Sequence, residues 1–295
     1  MITMLLVSSE QALLYIPLCI GGYIVYTLMK ITDLSIESSF TCGAIGGYYA
    51  LKATQMCAPL QIPGILCSAA FSGIIVGLTT YNLVRFLPIN HLLASIITIG
   101  LFKGIQLMIL RTTNVSLASL PNPLTYLPSF FNNAEYYSLA IITLSIVCVA
   151  TILFKTEMGT CFIIMGKNRS FFKHFHIKEK HIMLHGMIIS HALAGISGYL
   201  CAQSHNFVDV TMGYGLPLFI ITTLILGKTI ASFFTITIPS ITIVCCGVFS
   251  YFMIQQGLLA IGFDAHFFTS MQACVVLFIL FCNNQLTRHS PLFTL

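Results

Sequence analysis

Two short stretches of this chain pair an acid with a hydroxyl residue two positions on: Asp33-Leu34-Ser35-Ile36 and Asp209-Val210-Thr211-Met212. Asp33 with Ser35, and Asp209 with Thr211, have the chemistry of a helix cap, in which a side-chain oxygen takes up N–H donors that a helix start leaves open. Both stretches open apolar, glycine-containing runs, with Gly43, Gly46 and Gly47 after the first and Gly213 and Gly215 after the second. A helix that starts inside an apolar medium presents free N–H groups and partial positive charge, which can attract an anionic group of a passing solute. The first stretch adds Glu37 and Ser38, and Lys103 places an ammonium within another apolar run. Such a lysine costs at least roughly 2.5 kcal/mol unless it reaches an interface along its stem or is paired. Both readings stand open: Lys103 at the outer interface, or Lys103 facing an acid or a substrate carboxylate.

The elements that would hold these residues are membrane spans. The chain has 295 residues, 57% hydrophobic and only 7% charged, with a mean hydropathy of +0.93, against about a quarter charged in soluble domains. With about 20 apolar residues needed per span, roughly eight to ten segments fill its length as one membrane domain, 1–295. Apolar runs between breaker signals give nine: 12–29, 34–51, 65–83, 91–110, 137–154, 182–202, 213–227, 233–254 and 267–282. The start lacks a basic region and a small-residue cleavage site, so the first run reads as an uncleaved helix. The fold class expected is therefore all-α, a polytopic transmembrane helical bundle. Tryptophan is absent, which leaves tyrosines such as Tyr15, Tyr136, Tyr137 and Tyr199 to form an interfacial belt.

Two polar loops interrupt the runs, at about 111–136 and 155–181. Six of the thirteen Lys and Arg residues, Lys155, Lys167, Arg169, Lys173, Lys178 and Lys180, fall in the second, which the positive-inside tendency assigns to the cytoplasm. Counting spans from there puts the 111–136 loop outside. Five crossings then separate Asp33 from Asp209, so the two motifs are inverted relative to one another. An inverted repeat with two interrupted helices is an architecture from which transporters build a solute path, because broken backbone at membrane depth must face protein or water. The second motif keeps its glycines where the first has Glu37 and Ser38, so the later break is expected to be the sharper.

Other signals lead to weaker chemistry. Gly227-Lys228-Thr229 resembles the end of a phosphate loop, but Thr222 stands where the first glycine is needed, and a span precedes it. His174, His176, His181, His185 and His191 cross a loop and a span without Cys or Asp support, which favours solvation and polar packing over a metal. Eleven scattered cysteines without a CxxC pair read as small packing residues. No catalytic constellation of the HExxH or GxSxG type occurs, which ranks a membrane enzyme last.

The stretch Ile31 to Phe40 followed by Gly43, Gly46 and Gly47, the later Asn206 to Gly215, and the small-residue run Ala192 to Leu200 resemble, in order, the permease subunits of bacterial ABC importers of the ribose and branched-chain amino acid type. They are nearest to the tryptophan/tyrosine-type branch. That resemblance implies a cytoplasmic (inner) membrane protein that is not itself an enzyme and binds no cofactor, with ATP bound by a separate cytosolic ATP-binding cassette subunit. It also implies a second permease copy, identical or related, and an extracytoplasmic substrate-binding protein, and no nucleic-acid partner. The solute implied is an amino acid, aromatic or branched-chain, with a sugar or nucleoside as rival. The family's cytoplasmic coupling helix would fall at Met165 to His176. There Phe171, Phe172 and Phe175 at helical spacing, flanked by Gly166, Lys167 and Arg169, could enter an ATPase groove or lie in the bilayer interface. An ion-gradient-driven carrier remains the alternative, since it too uses inverted repeats.

Overall fold

A computed structural model describes residues 2–54, 58–126, 134–168, 171–172, 178–232, 239–264 and 267–286. Among these are ten α-helices: α1 (Ile2–Gly22), α2 (Ile36–Ala53), α3 (Ala58–Phe86), α4 (His91–Leu110), α5 (Ala134–Lys155), α6 (Glu157–Lys167), α7 (Glu179–His205), α8 (Leu216–Ser232), α9 (Ser240–Ala260) and α10 (Phe268–Leu286). Six of the described helices are long and apolar enough to cross a membrane, and α8 and the described part of α10 are shorter apolar helices. The all-α polytopic bundle expected from composition is what the chain forms. Each of the nine apolar runs corresponds to a helix; α6 is an addition, lying inside the loop at 155–181.

The chain divides into two compact units, 13–217 and 1–12 with 218–295. The first has α2, α3 and α7 at its centre, and their approach is set by small residues. A Cβ on Gly43 would stand 2.1 Å from the Gly195 carbonyl oxygen, one on Gly198 would stand 1.9 Å from that of Phe40, and one on Gly73 would stand 2.2 Å from that of His191. Glycine lets the three backbones touch, which is how helices pack where hydrocarbon supplies no hydrophobic drive between them. Tyr15 stacks on Phe40 with ring centroids 6.0 Å apart. Tyr199 is 2% exposed, and its hydroxyl reaches Gln203 Oε1 at 3.3 Å. Tyr199 is therefore a core residue rather than a member of an interfacial belt, while Tyr15 is half-buried; Tyr136 and Tyr137 lie at the start of α5.

In the second unit Gly227 and Gly247 seat α8 against α9: a Cβ on Gly227 would lie 2.3 Å from the Ile243 carbonyl oxygen. Gly227 thus belongs to a helix crossing. Phe219 and Tyr251 meet edge to face at 4.9 Å, and Gln272 donates to the Tyr251 hydroxyl at 2.7 Å. The nine described cysteines form no disulfide.

One feature departs from a purely helical expectation. Strands β1 (Asn114–Ser116) and β2 (Phe207–Asp209) pair antiparallel, with Asn114 opposite Asp209 and Ser116 opposite Phe207. The ladder joins the loop after α4 to the segment carrying the second Asp motif, so these lie at one end of the first unit. Three-residue strands have no amphipathic period to read, and the pairing partners are far apart in sequence.

Candidate functional site

The repeated motif folds the same way twice. Asp33 Oδ1 accepts the Ser35 backbone N–H at 2.8 Å and the Ser35 hydroxyl at 2.6 Å. Asp209 Oδ1 accepts the Thr211 N–H at 2.6 Å and the Thr211 hydroxyl at 2.5 Å. In each, one carboxylate oxygen takes two donors and holds a turn that releases the chain toward a helix. The first turn follows a six-residue π-helical end of α1, Tyr23–Leu28, a wide turn of the kind that often marks functional sites. Lys30 then has φ 54°, and α2 begins three residues after Asp33. The later break is longer: α8 begins seven residues after Asp209, and Gly215 has φ +79°, a left-handed conformation that glycine adopts without penalty.

Environment separates the two acids. Asp33 is fully buried, with Ser35 beside it, whereas Asp209 is half-buried. Tyr26 donates its hydroxyl to the Asp33 carbonyl, and Thr80 donates to Ser35 Oγ at 2.9 Å while lying 3.0 Å from the Thr98 hydroxyl. A chain of hydroxyls therefore ties the start of α2 to α3 and α4. His191, which lies near the middle of α7, completes the cluster, with Nε2 3.3 Å from Asp33 Oδ2.

The breaks converge. A Cβ on Gly213 would stand 2.3 Å from the Glu37 carbonyl oxygen and 2.7 Å from Thr41 Oγ1, so the second break rests on the first turn of α2. Around this contact Glu37, Ser38, Lys103, Gln106, Gly213 and Tyr214 line a small cleft of about 10 Å³, the scale of one water molecule. The Glu37 carboxylate accepts the Gly215 N–H and feels the Lys103 charge. The Lys103 ammonium stands 4.9 Å from the centre of the Tyr214 ring, a cation–π distance. Gln106 donates to the Ser38 carbonyl at 3.2 Å. Opposite charges, an aromatic face and backbone N–H groups thus meet in one narrow place.

Of the residues singled out from sequence, Glu37, Ser38, Lys103 and Gly213 line this cleft, and Gly215 touches it through Glu37. Asp33 and Ser35 sit behind it in the buried cluster, and Asp209 with Thr211 holds the turn that delivers Gly213. Sequence reasoning missed Tyr214, Gln106, Thr80 and Thr98, and read His191 only as solvation or polar packing. A usable signal existed for His191: a fully apolar setting obliges a buried acid to find a cation or donors, and few cationic side chains lie inside the runs.

The coupling segment is described only in part: Phe171 and Phe172 are helical, and 169–170 and 173–177 lie outside the described residues. At the start of the stretch expected to be helical, Met165 to His176, α6 ends at Lys167 and Asn168 is extended at φ −152°. Phe172 is 1% exposed and packs with Phe162 and Met165 against Ile24, Val25 and Met29 of the π-helical region and Met183 and Met187 of α7; Phe171 packs partly buried beside it. Phe172 is thus committed to its own bundle, while Lys167 is exposed. Arg169 and Phe175 lie outside the described residues. Gly166 abuts the chain just before the Asp33 break: a Cβ there would stand 1.9 Å from the Leu28 carbonyl oxygen.

Comparison with known proteins agrees with this architecture. Residues 4–282 match the family described as branched-chain amino acid transport system / permease component. An uncharacterised protein of Rickettsia prowazekii (strain Madrid E) is 30% identical over 270 residues, covering 88% of this chain and 90% of its own. A tyrosine transport system permease protein of Clostridioides difficile (strain R20291) is 30% identical over 82% of this chain and 78% of its own. The autoinducer 2 import system permease protein LsrC of Escherichia coli (strain SMS-3-5 / SECEC) is 26% identical over 75% of this chain and 61% of its own. No solved structure matches. The chain belongs to the branched-chain amino acid transport system permease family of ABC importers, as a multi-pass protein of the bacterial cytoplasmic membrane.

Proposed function

We propose that this chain forms the translocation path of an ATP-driven importer for a small zwitterionic solute, an aromatic amino acid before a branched-chain one. The observation that carries the reading is the meeting of the two interrupted segments at the Glu37–Lys103–Tyr214 cleft. A carboxylate, an ammonium and an aromatic face offer partners to the ammonium, carboxylate and side chain of such a solute. The tyrosine permease among its relatives supports the same class. The autoinducer 2 permease favours a second reading, in which the solute is not an amino acid.

Work would come from elsewhere. The chain acts without a cofactor of its own, as a pair of permease copies, with ATP hydrolysed by a cytosolic ATPase pair and solute delivered by an extracytoplasmic binding protein. The basic loop at 155–181 meets the ATPase on the cytoplasmic side and the 111–136 loop faces outward. Motion of α6 would reach the first break through the Gly166–Leu28 contact, five residues before Asp33. Gly166→Val, which forces these backbones apart, is expected to leave ATP hydrolysis running while uptake falls; parallel assays of phosphate release and solute accumulation read the ratio.

Uptake of labelled tyrosine, leucine and autoinducer 2 by proteoliposomes holding the full complex tests the solute class. The reading expects tyrosine first and a loss of about tenfold with Lys103→Met, the worth of roughly 1.4 kcal/mol. Full uptake and unchanged preference in Lys103→Met would remove the cleft from the path.

A further inference from the structure

His191 has a more specific task than polar packing. Its Nδ1 lies 2.8 Å from the Met187 carbonyl oxygen, an atom that only accepts, so Nδ1 carries a proton. On the other side of the ring, Nε2 lies 3.1 Å from Ser35 Oγ and 3.3 Å from Asp33 Oδ2. The Ser35 hydroxyl proton goes to Asp33 Oδ1, 2.6 Å away, the strongest acceptor within its reach. Ser35 therefore turns a lone pair toward Nε2. Asp33 Oδ2 also offers only lone pairs, and among the described residues no hydrogen-bond donor serves it unless Nε2 does. Three acceptors would face one another in a fully buried place, which the low local dielectric makes costly. A proton on Nε2 removes the conflict. Oδ1 already takes two donors, so the carboxyl group of Asp33 serves as an acceptor and the group facing Oδ2 is Nε2.

We propose that His191 is an imidazolium that closes the Asp33 carboxylate, and that this buried pair is a positioning element of the translocation path. It does not line the cleft. It acts through the first turn of α2, which carries Glu37 and Ser38, by pinning the break before that turn to the middle of α7. The hydroxyls of Ser35, Thr80 and Thr98 extend the same hold to α4, which carries Lys103. The charge assignment stands on geometry alone; the role in the path rests on the transport reading.

The test has two parts. On the full chain in lipid nanodiscs, the imidazole ¹⁵N resonances of His191, identified by their loss in His191→Asn, are expected to show both nitrogens protonated. In Asp33→Asn the side-chain amide can donate to a neutral Nε2, so the Nε2 proton is expected to vanish while the chain stays folded. His191→Ala should lower the thermal midpoint, and His191→Ala with Asp33→Asn should recover most of the loss, a coupling that a ring acting only by its bulk does not give. An unprotonated Nε2 in the native chain, or additive losses in the double variant, overturns the pair. In the reconstituted complex Asp33→Asn is expected to reduce the maximal uptake rate at least about fivefold, roughly 1 kcal/mol, with the half-saturating solute concentration unchanged. An unchanged maximal rate overturns the positioning role. Absence of ATP-driven uptake in the native complex would instead strike the transport reading, and the nitrogen resonances and the double variant would still judge the pair.

Discussion

Gly43→Leu is expected to abolish accumulation of folded protein. A Cβ at this position meets the Gly195 carbonyl oxygen at 2.1 Å and its Cα at 2.2 Å, so the added atoms push on backbone, which has no rotamer to yield. Ordinary overpacking costs about 1–3 kcal/mol, and a clash between two helix backbones at the centre of the α2, α3 and α7 assembly belongs at or beyond the top of that range. Gly100→Leu is the matched control. Nothing lies within 4 Å of a Cβ at Gly100, and leucine is the better helix former by almost 1 kcal/mol. Thermal unfolding in detergent should separate the two variants, with Gly100→Leu at or above the native midpoint. Equal midpoints would mean that α2 and α7 do not meet through glycine.

Phe172→Asp carries the second large effect, and its cause is folding. The ring is 1% exposed among Phe162, Met165 and Met187. Replacing it deletes a large aromatic side chain, worth about 3–5 kcal/mol, and buries a carboxylate without a cation. Loss of the folded chain is expected, read as protease sensitivity or aggregation on size-exclusion chromatography. A folded Phe172→Asp protein would show that the loop is not anchored as described. Contact with the ATPase is therefore better probed at Lys167, which is exposed at the end of α6. Lys167→Glu should leave the midpoint unchanged and weaken co-purification of the ATPase subunit; undiminished co-purification would move the docking surface away from this helix end.

Much of the bundle was legible because its chemistry is local. Nine apolar runs mark nine helices, since hydrocarbon leaves the backbone no alternative to satisfying its own hydrogen bonds. The Asp33 and Asp209 turns were legible for the same reason: carboxylate, N–H and hydroxyl lie within three residues. What escaped were partnerships between distant residues. His191 is 158 residues from Asp33, and nothing in its own neighbourhood names its partner. Phe172 shares helical spacing with its neighbours, but spacing cannot tell whether an apolar face covers its own bundle or awaits another protein. The same ambiguity sent Tyr199 to an interfacial belt when it packs inside. The β1–β2 ladder is too short to leave a pattern, yet it ties the second break to the loop after α4. Lys103 was legible as an anomaly; that it stands over Tyr214 and near Glu37 required the two breaks to be brought together.

On the proposed function, two interrupted segments, each started by an Asp-held turn, form a path whose opening is driven by ATP hydrolysed outside this chain. Solute accumulation in proteoliposomes, with and without the ATPase, ATP and an imposed ion gradient, tests it most directly. Accumulation is expected only when the binding protein, ATPase and ATP are all supplied, with no dependence on the gradient. Accumulation by this chain alone, driven by the gradient, would contradict it.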